Sequence, residues 1–403
     1  MATSTHLRRI NQRRMISALL GLRMASRANL AKATGLSQPT ACNIADELLA
    51  AKLLEEVADA EPAKNPPGER RMGRPGQLLR LDRSTPRFLA IQLGVEHTRL
   101  SLVPVAAQEE DDWAVEISTA RTAEQWAKDV SMASHRLSAG PLDAVLLSVP
   151  GVVDERAGQV LLCPNLHWAQ TVNLHEVTRR LWTAPVCMVQ EIRALALGHH
   201  AIASPRNDFL LVDFGEGVGA AAVVGGMLYP SPVPLSGELG HTPVLGNRRR
   251  CGCGNIGCVE TVVSRRGLLE TFASETRFPR SWTSLAEHIA QHGIQPWLAS
   301  TLDAAAVTIA GAVNVLGVQR VVITGSLNEL PGVVLEYLSA AVIRDAMWSR
   351  FGDVLCHAAP RRRMAGLVSA AIDRVLLPDV QDVSPHGLEK RVEFTFSQRS
   401  GVA

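Results

Sequence analysis

His241, Cys251, Cys253 and Cys258 follow one another with the spacing H-x9-C-x-C-x4-C, and glycines at 252, 254 and 257 let the backbone close around something small. One imidazole and three thiols are the donor set of a closed tetrahedral zinc site. Soft sulfur ligands disfavour magnesium and calcium, and four protein ligands leave no open position for catalysis. The segment from Arg248 to Cys258, RRRCGCGNIGC, lacks the apolar surroundings in which unmetallated thiols are buried. A structural Zn2+ is expected here rather than a disulfide framework. Cys42, Cys163, Cys187 and Cys356 stand alone and read as small core residues.

A second group of residues suits a polyanion. Residues 1–80 carry 13 Lys or Arg against 7 Asp or Glu, a surplus of six in a chain of formal net charge +2, so the remainder is net acidic. Two short helical patterns, Arg27 to Thr34 and Gln38 to Ala51, flank Gly35-Leu36-Ser37, the spacing of a helix-turn-helix. Gly35 supplies a positive φ to end the first helix, Leu36 packs between the two, and Ser37 caps the second. Such motifs lay the second helix in the major groove of double-stranded DNA with its first residues facing base edges. Gln38, Pro39, Thr40 and Asn43 occupy those positions; Gln and Asn can each pair bidentately with adenine. Arg27, Arg13 and Arg14 are candidates for phosphate contacts. Arg74, in Gly73-Arg74-Pro75-Gly76, suits a narrow minor groove. A polar residue at a helix start is ordinarily just solvated; it is the joint occurrence of spacing, charge and Gly-Arg-Pro that points to DNA.

These residues need elements to position them. At 403 residues the chain exceeds one ordinary core. Ile16, Leu19 and Leu20 recur at helical spacing between Asn11 and Met24 and imply an amphipathic first helix with a basic outer face. An extended run after Leu54 and another over Gln77 to Asp82 bracket a polar stretch, the pattern of a β-hairpin wing. Residues 1–82 are thus expected to form a winged helix-turn-helix. From Pro86 strand and helix patterns alternate: Arg87 to Val105 as two strands, Leu142 to Val153, Phe209 to Gly226 and Arg320 to Leu327. Residues 86–380 are expected to be an α/β body, and 381–403 a polar tail. Composition is ordinary, 46% apolar and 20% charged. No uncharged apolar run approaches the roughly 18 residues of a membrane helix, and the basic N-terminus lacks the apolar core of a signal peptide. The expectation is a cytoplasmic protein with no membrane partner.

GELGHTPV (Gly237 to Val244), CGCGNIGCVE (Cys251 to Glu260), SVPGVVD (Ser148 to Asp154) and PNLHW (Pro164 to Trp168) together resemble the repressor, open reading frame and sugar kinase family, ROK. With the winged helix, the resemblance runs from about Leu7 to Leu377 and looks like the regulator branch, similar to the xylose and N-acetylglucosamine repressors. It implies two α/β lobes of the actin and hexokinase type, with a ribonuclease H-like core and a sugar cleft between them. It also implies that Asn165, Glu191, Glu238, His241 and Glu260 meet sugar hydroxyls, His241 on the metal as well. Carboxylates and amides match the paired donors and acceptors of a sugar.

The departures from the family's kinases concern the nucleotide. Their early D-x-G-G-T loop is replaced by Gln92-Leu93-Gly94-Val95, and Glu191 stands where the catalytic Asp of E-N-D is expected. Gly215-Glu216-Gly217-Val218-Gly219 keeps its glycines but sets a carboxylate where phosphate oxygens would approach. Phosphoryl transfer rests on positioning and charge neutralisation, and the groups for both are missing from the sequence pattern. The reading is a non-enzymatic, sugar-responsive regulator, a homodimer or higher homo-oligomer on a DNA operator. The alternative is an ATP-dependent sugar kinase fused to a DNA-binding domain.

Overall fold

The computed structural model describes residues 4–57, 77–106, 111–137, 140–202, 207–229, 236–276 and 278–378. Arg74, most of the expected wing and the 381–403 tail lie outside the described residues. The chain opens with α1 (Ser4–Leu22), β1 (Ala25–Ser26), α2 (Arg27–Thr34), α3 (Gln38–Ala50), β2 (Leu54–Val57) and β3 (Leu78–Leu81). The three strands form an antiparallel sheet in the order β1-β3-β2. This is a winged helix. Gly35 ends α2 at φ 69°, and the Ser37 hydroxyl accepts from the Thr40 amide at the start of α3. Leu36 is half-buried against the core. Strand β1 was not anticipated, because two residues carry no period.

The basic face of α1 does not simply point to solvent. Arg8 pairs with Glu47 of α3, while Arg9 and Arg13 donate to the carbonyls of Pro378 and Asp373 at the far end of the chain. Arg13 therefore binds protein, a correction to its expected phosphate role. Its helix docks because Met15, Ile16 and Leu19 share one apolar cluster with Leu367, Val368 and Ile372.

The body contains two sheets of one plan. The first is built from β4 (Phe88–Leu93), β5 (His97–Val103), β6 (Val115–Ser118), β7 (Ala144–Val149) and, after the small hairpin of β8 (Val152–Asp154) and β9 (Gln159–Leu162), β10 (Val186–Gln190). The second is built from β11 (Phe209–Phe214), β12 (Val218–Val224), β13 (Met227–Leu228), β14 (Arg320–Gly325) and β15 (Leu355–Ala358). Their orders, β6-β5-β4-β7-β10 and β13-β12-β11-β14-β15, coincide strand for strand. Each has an antiparallel meander on one side and parallel crossovers on the other. Central strands such as β4 and β7 are buried throughout, as a sheet covered on both faces requires. The lobes are mixed α/β of the actin and hexokinase type. Helices α4 (Ala123–His135) and α5 (Leu174–Leu181) cover the first, and α7 (Glu260–Val263), α8 (Arg265–Thr276), α9 (Trp282–His292), α10 (Pro296–Leu316) and α11 (Val333–Asp345) belong to the second. By length and composition α10 is capable of crossing a membrane; its Leu298, Leu302, Ile309 and Val313 lie in the second lobe's core.

Each lobe's closing helix packs on the other lobe's sheet. Helix α6 (Glu191–Ile202) follows β10, yet its Ile192, Leu195 and Ala196 cluster with Phe209, Leu211 and Val223. Helix α12 (Arg363–Ala371) follows β15, yet its Met364, Leu367 and Val368 join Phe88, Ala90 and Leu146. The two cross where a Cβ on Gly366 would stand 1.7 Å from the Ala194 carbonyl oxygen. Gly366→Ala is accordingly expected to destabilise the fold by at least the roughly 1–3 kcal/mol of an overpacked core. Denaturant titration should show a lower midpoint at unchanged slope; an unchanged midpoint would mean the crossing is not tight.

Candidate functional site

The two lobes enclose a cleft of about 1020 Å³ that Asn165, Glu191, Glu238, His241 and Glu260 all line. Asn165 follows β9, Glu191 opens α6, and Glu260 opens α7. Glu238 immediately precedes, and His241 ends, a 3-10 turn at Leu239–His241. That turn is pressed onto β12: a Cβ on Gly240 would lie 2.1 Å from the Val218 carbonyl oxygen, which is why Glu-Leu-Gly-His has glycine there. Glu260 accepts the Val218 amide at 2.8 Å and its other oxygen is 3.8 Å from the Cys251 sulfur, so it joins the glycine loop to the cysteine loop. Burial, with Glu260 nearby, pushes the Glu238 carboxyl above its ordinary range against the pull of His241.

His241, Cys251, Cys253 and Cys258 converge, their ligand atoms all within 4.8 Å of one another, and could hold a metal ion. The Cys253 and Cys258 sulfurs are 3.7 Å apart, and the Cys251 sulfur is 3.5 Å from His241 Nδ1. A tetrahedron with zinc–sulfur bonds of about 2.3 Å has sulfur–sulfur edges of about 3.8 Å, and the Cys253–Cys258 separation matches such an edge. His241 Nε2, on the other side of the ring, faces Glu238 Oε2 at 3.7 Å. Burial and the adjacent Cys253 and Cys251 thiols push the Cys258 thiol up to about 12. A bound cation would displace the protons of the thiols it takes as ligands. The loop is braced from behind: Arg249 donates to the Thr261 carbonyl at 2.8 Å and the Thr271 hydroxyl at 2.8 Å, and Asn247 donates to the Cys258 carbonyl at 3.0 Å.

Sequence inspection missed two arginines in the cleft. Arg361 forms a bidentate pair with Asp213 at 2.7 and 2.9 Å, and its Nη2 lies over Gly215 and Gly325. Burial alone would raise the Asp213 carboxyl; Arg361 and the Thr324 hydroxyl hold it below the usual range. Arg363 binds Glu191, which also accepts from Gln92 at 3.1 Å. Charge neutralisers are therefore present, contrary to the reading of the sequence, but carboxylates of the chain already occupy them. The only local signal was the run Arg361-Arg362-Arg363 before an apolar segment. Glu216, opposite Glu96 across the cleft, is raised by burial and by that like charge.

In the winged helix, Gln38, Pro39 and Asn43 are exposed on α3 and Thr40 is half-buried, its hydroxyl 2.8 Å from that of Ser37. Arg27 is held by Asp46 of α3 at 2.9 Å and by Glu56 of β2 at 3.4 Å, so any phosphate would have to share it. Of the lone cysteines, Cys163 and Cys187 are buried and Cys356 is half-buried against the second lobe's core, whereas Cys42 is half-exposed and corrects the core assignment for that residue.

A winged helix joined to two actin- and hexokinase-like lobes, with a His/Cys3 cluster at the cleft, defines a class of protein. Residues 88–372 match the ROK family, and the chain belongs to it. It is 24% identical over 375 residues to the xylose repressor of Caldicellulosiruptor bescii, spanning 87% of this chain and 92% of that protein. It is 25% identical over 227 residues to the DNA-binding transcriptional dual regulator NagC of Escherichia coli, across 53% of this chain and 56% of that one. In structure it resembles a ROK family transcriptional regulator described as a homolog of the Escherichia coli MLC protein, at a TM-score of 0.68 and 19% identity over 91% and 96% of the chains. The ROK hexokinase of Thermus thermophilus covers 71% of this chain and 96% of its own length at a TM-score of 0.58 and 21% identity.

Proposed function

We propose that this protein is a cytoplasmic transcriptional repressor of carbohydrate metabolism. It binds a DNA operator as a homodimer through Gln38, Pro39, Thr40, Asn43, Arg27 and Arg74, and it responds to a sugar or sugar derivative in the cleft. Asn165, Glu191, Glu238, His241 and Glu260 meet the sugar, and a structural zinc on His241, Cys251, Cys253 and Cys258 holds the second-lobe contacts in place. The observation that carries this reading is the pairing, in one chain, of a winged helix with a carboxylate-lined cleft in which Arg361 and Arg363 are already paired with Asp213 and Glu191. Similarity to named repressors supports it. The ligand must bind one arrangement of the chain better than another, and a coupling of about 1–3 kcal/mol gives a roughly 5- to 150-fold change in operator affinity. Two copies would read half-sites about one helical turn, or a multiple of it, apart.

The lobes and the retained glycines at 215, 217 and 219 favour a second reading, a sugar kinase. Arg361 over Gly215 and Arg363 on Glu191 speak against it, since an ATP phosphate would have to displace an internal ion pair. The deciding experiment pairs operator binding by fluorescence anisotropy, with and without each member of a sugar panel, with a coupled assay for ATP turnover. Release of DNA by one sugar, with no turnover above background, is expected. Turnover would establish the kinase, and a protein indifferent to DNA would remove the regulator.

A further inference from the structure

Arg363 is almost completely buried, with a side chain 4% exposed, and it serves two carboxylates at once. Its Nη2 binds Glu191 Oε1 in the cleft, and its Nη1 binds Asp111 Oδ2 at 3.1 Å. The other Asp111 oxygen accepts the Met364 amide at 2.8 Å, so the same aspartate secures the first turn of α12. Gln92 from β4 also donates to Glu191 Oε1, which leaves Oε2 as the oxygen a ligand hydroxyl would meet. At the opposite end, just beyond α12, the carbonyls of Asp373 and Pro378 receive Arg13 and Arg9 of α1. Between these ends the helix has little freedom. It is buried along almost its whole length, and Gly366 rests against the α6 backbone too closely to slide. From Arg363 to Leu377 the segment spans about 20 Å.

We infer that Arg363 is a positioning residue through which cleft occupancy enters α12 and reaches the winged helix. The inference rests on the sugar-responsive reading above. A hydroxyl donating to Glu191 draws that carboxylate toward the ligand, and a guanidinium fixed on both Glu191 and Asp111 cannot follow one without weakening its hold on the other. The bridge has two arrangements, closed and parted, and the ligand favours the parted one. Glu191 and Arg363 open helices that are locked together at Gly366, so the bridge parts on its Asp111 side: α6 and α12 shift as a unit against Asp111, and α1 is attached to the far end of α12 by Arg13, Arg9 and the shared apolar cluster. A discrete two-state contact of this kind is what turns a small shift into a domain movement.

The test uses the full chain, a duplex selected by that chain from a random-sequence library, and D-xylose and N-acetyl-D-glucosamine as probes. The quantity read is the ratio of operator Kd with saturating sugar to operator Kd without it. Arg363→Lys keeps the charge but, as a point donor, cannot span both carboxylates. Arg13→Met lies outside the cleft and guards against a folding defect in the first variant. In the wild type a ratio of about 5 to 150 is expected. Both variants should bring it below about twofold at near-wild-type melting temperatures, with the sugar Kd of Arg13→Met unchanged. A responsive wild type with equally responsive variants overturns the coupling alone; if Arg363→Lys does not fold, Arg13→Met decides. A wild type indifferent to both sugars removes the regulator reading and this inference together.

Discussion

Cys253→Ser is expected to release the metal, unfold the loop between Thr242 and Cys258, and weaken sugar binding at least a hundredfold. The reason is what the loop lacks. Leu245 and Ile256 are exposed, Cys251, Gly257 and Cys258 are its buried residues, and Val244 alone of its aliphatic side chains packs on the second lobe's core, so little apolar surface holds it closed. Its backbone bonds, among them Val244 to Gly257, Gly257 to Arg249 and Cys251 to Asn255, tie together residues of which most are exposed or half-buried. Structural zinc contributes about 10–16 kcal/mol to folding in peptides that have little else, and this loop resembles such a peptide set into a larger protein. Loss of the ion frees His241 and removes the anchor of Glu260, whose carboxylate faces Cys251 and the Val218 amide. The lobes themselves rest on buried clusters elsewhere, so global unfolding is not expected. Elemental analysis should fall from one zinc per chain to none, with new protease cleavage confined to the loop. A variant that keeps its zinc and its sugar affinity would show that Cys253 is not a ligand. Cys42→Ser, on α3, provides the control in which neither should change.

What the sequence could disclose was decided by distance along the chain. The His/Cys3 cluster falls within a short span, and so do the turn of the helix-turn-helix and its caps; both are legible because spacing and residue type are local facts. The duplicated sheets were visible only as alternating patterns, since strand order depends on which crossovers pair. The cleft arginines were invisible for the same reason: Arg363 lies 172 residues from Glu191 and Arg361 lies 148 from Asp213. Nothing in the composition says that each closing helix will pack on the opposite lobe. The charge surplus of the first 80 residues was counted correctly, but not its direction. Arg8 and Arg13 meet Glu47 and Asp373 because the apolar stripe of α1 fixes which sides of that helix turn toward α3 and the body.

Glu238→Ala should abolish the sugar response while leaving sugar-free operator binding at its wild-type value. A carboxylate able to accept from two sugar hydroxyls makes two charge-assisted hydrogen bonds of about 1.5–3 kcal/mol each. Their loss corresponds to roughly a 10²- to 10⁴-fold weaker Kd. Position strengthens the case, because Glu238 is a half-buried carboxylate whose neighbours His241 and Glu260 are also cleft residues, and a site built around it leaves unmatched groups when it is gone. One complication can be separated by measurement. Glu238 also faces Nε2 of His241 at 3.7 Å, and removing the group behind a metal-bound imidazole costs about 10- to 100-fold in metal affinity. Glu238→Gln keeps an acceptor toward His241 while losing the charge, so it should retain zinc and still bind sugar poorly. Calorimetry of both variants at saturating zinc distinguishes the two effects. Sugar affinity restored by added zinc would make Glu238 a support for the metal alone, whereas affinity that stays low in a zinc-replete protein places its carboxylate on the sugar.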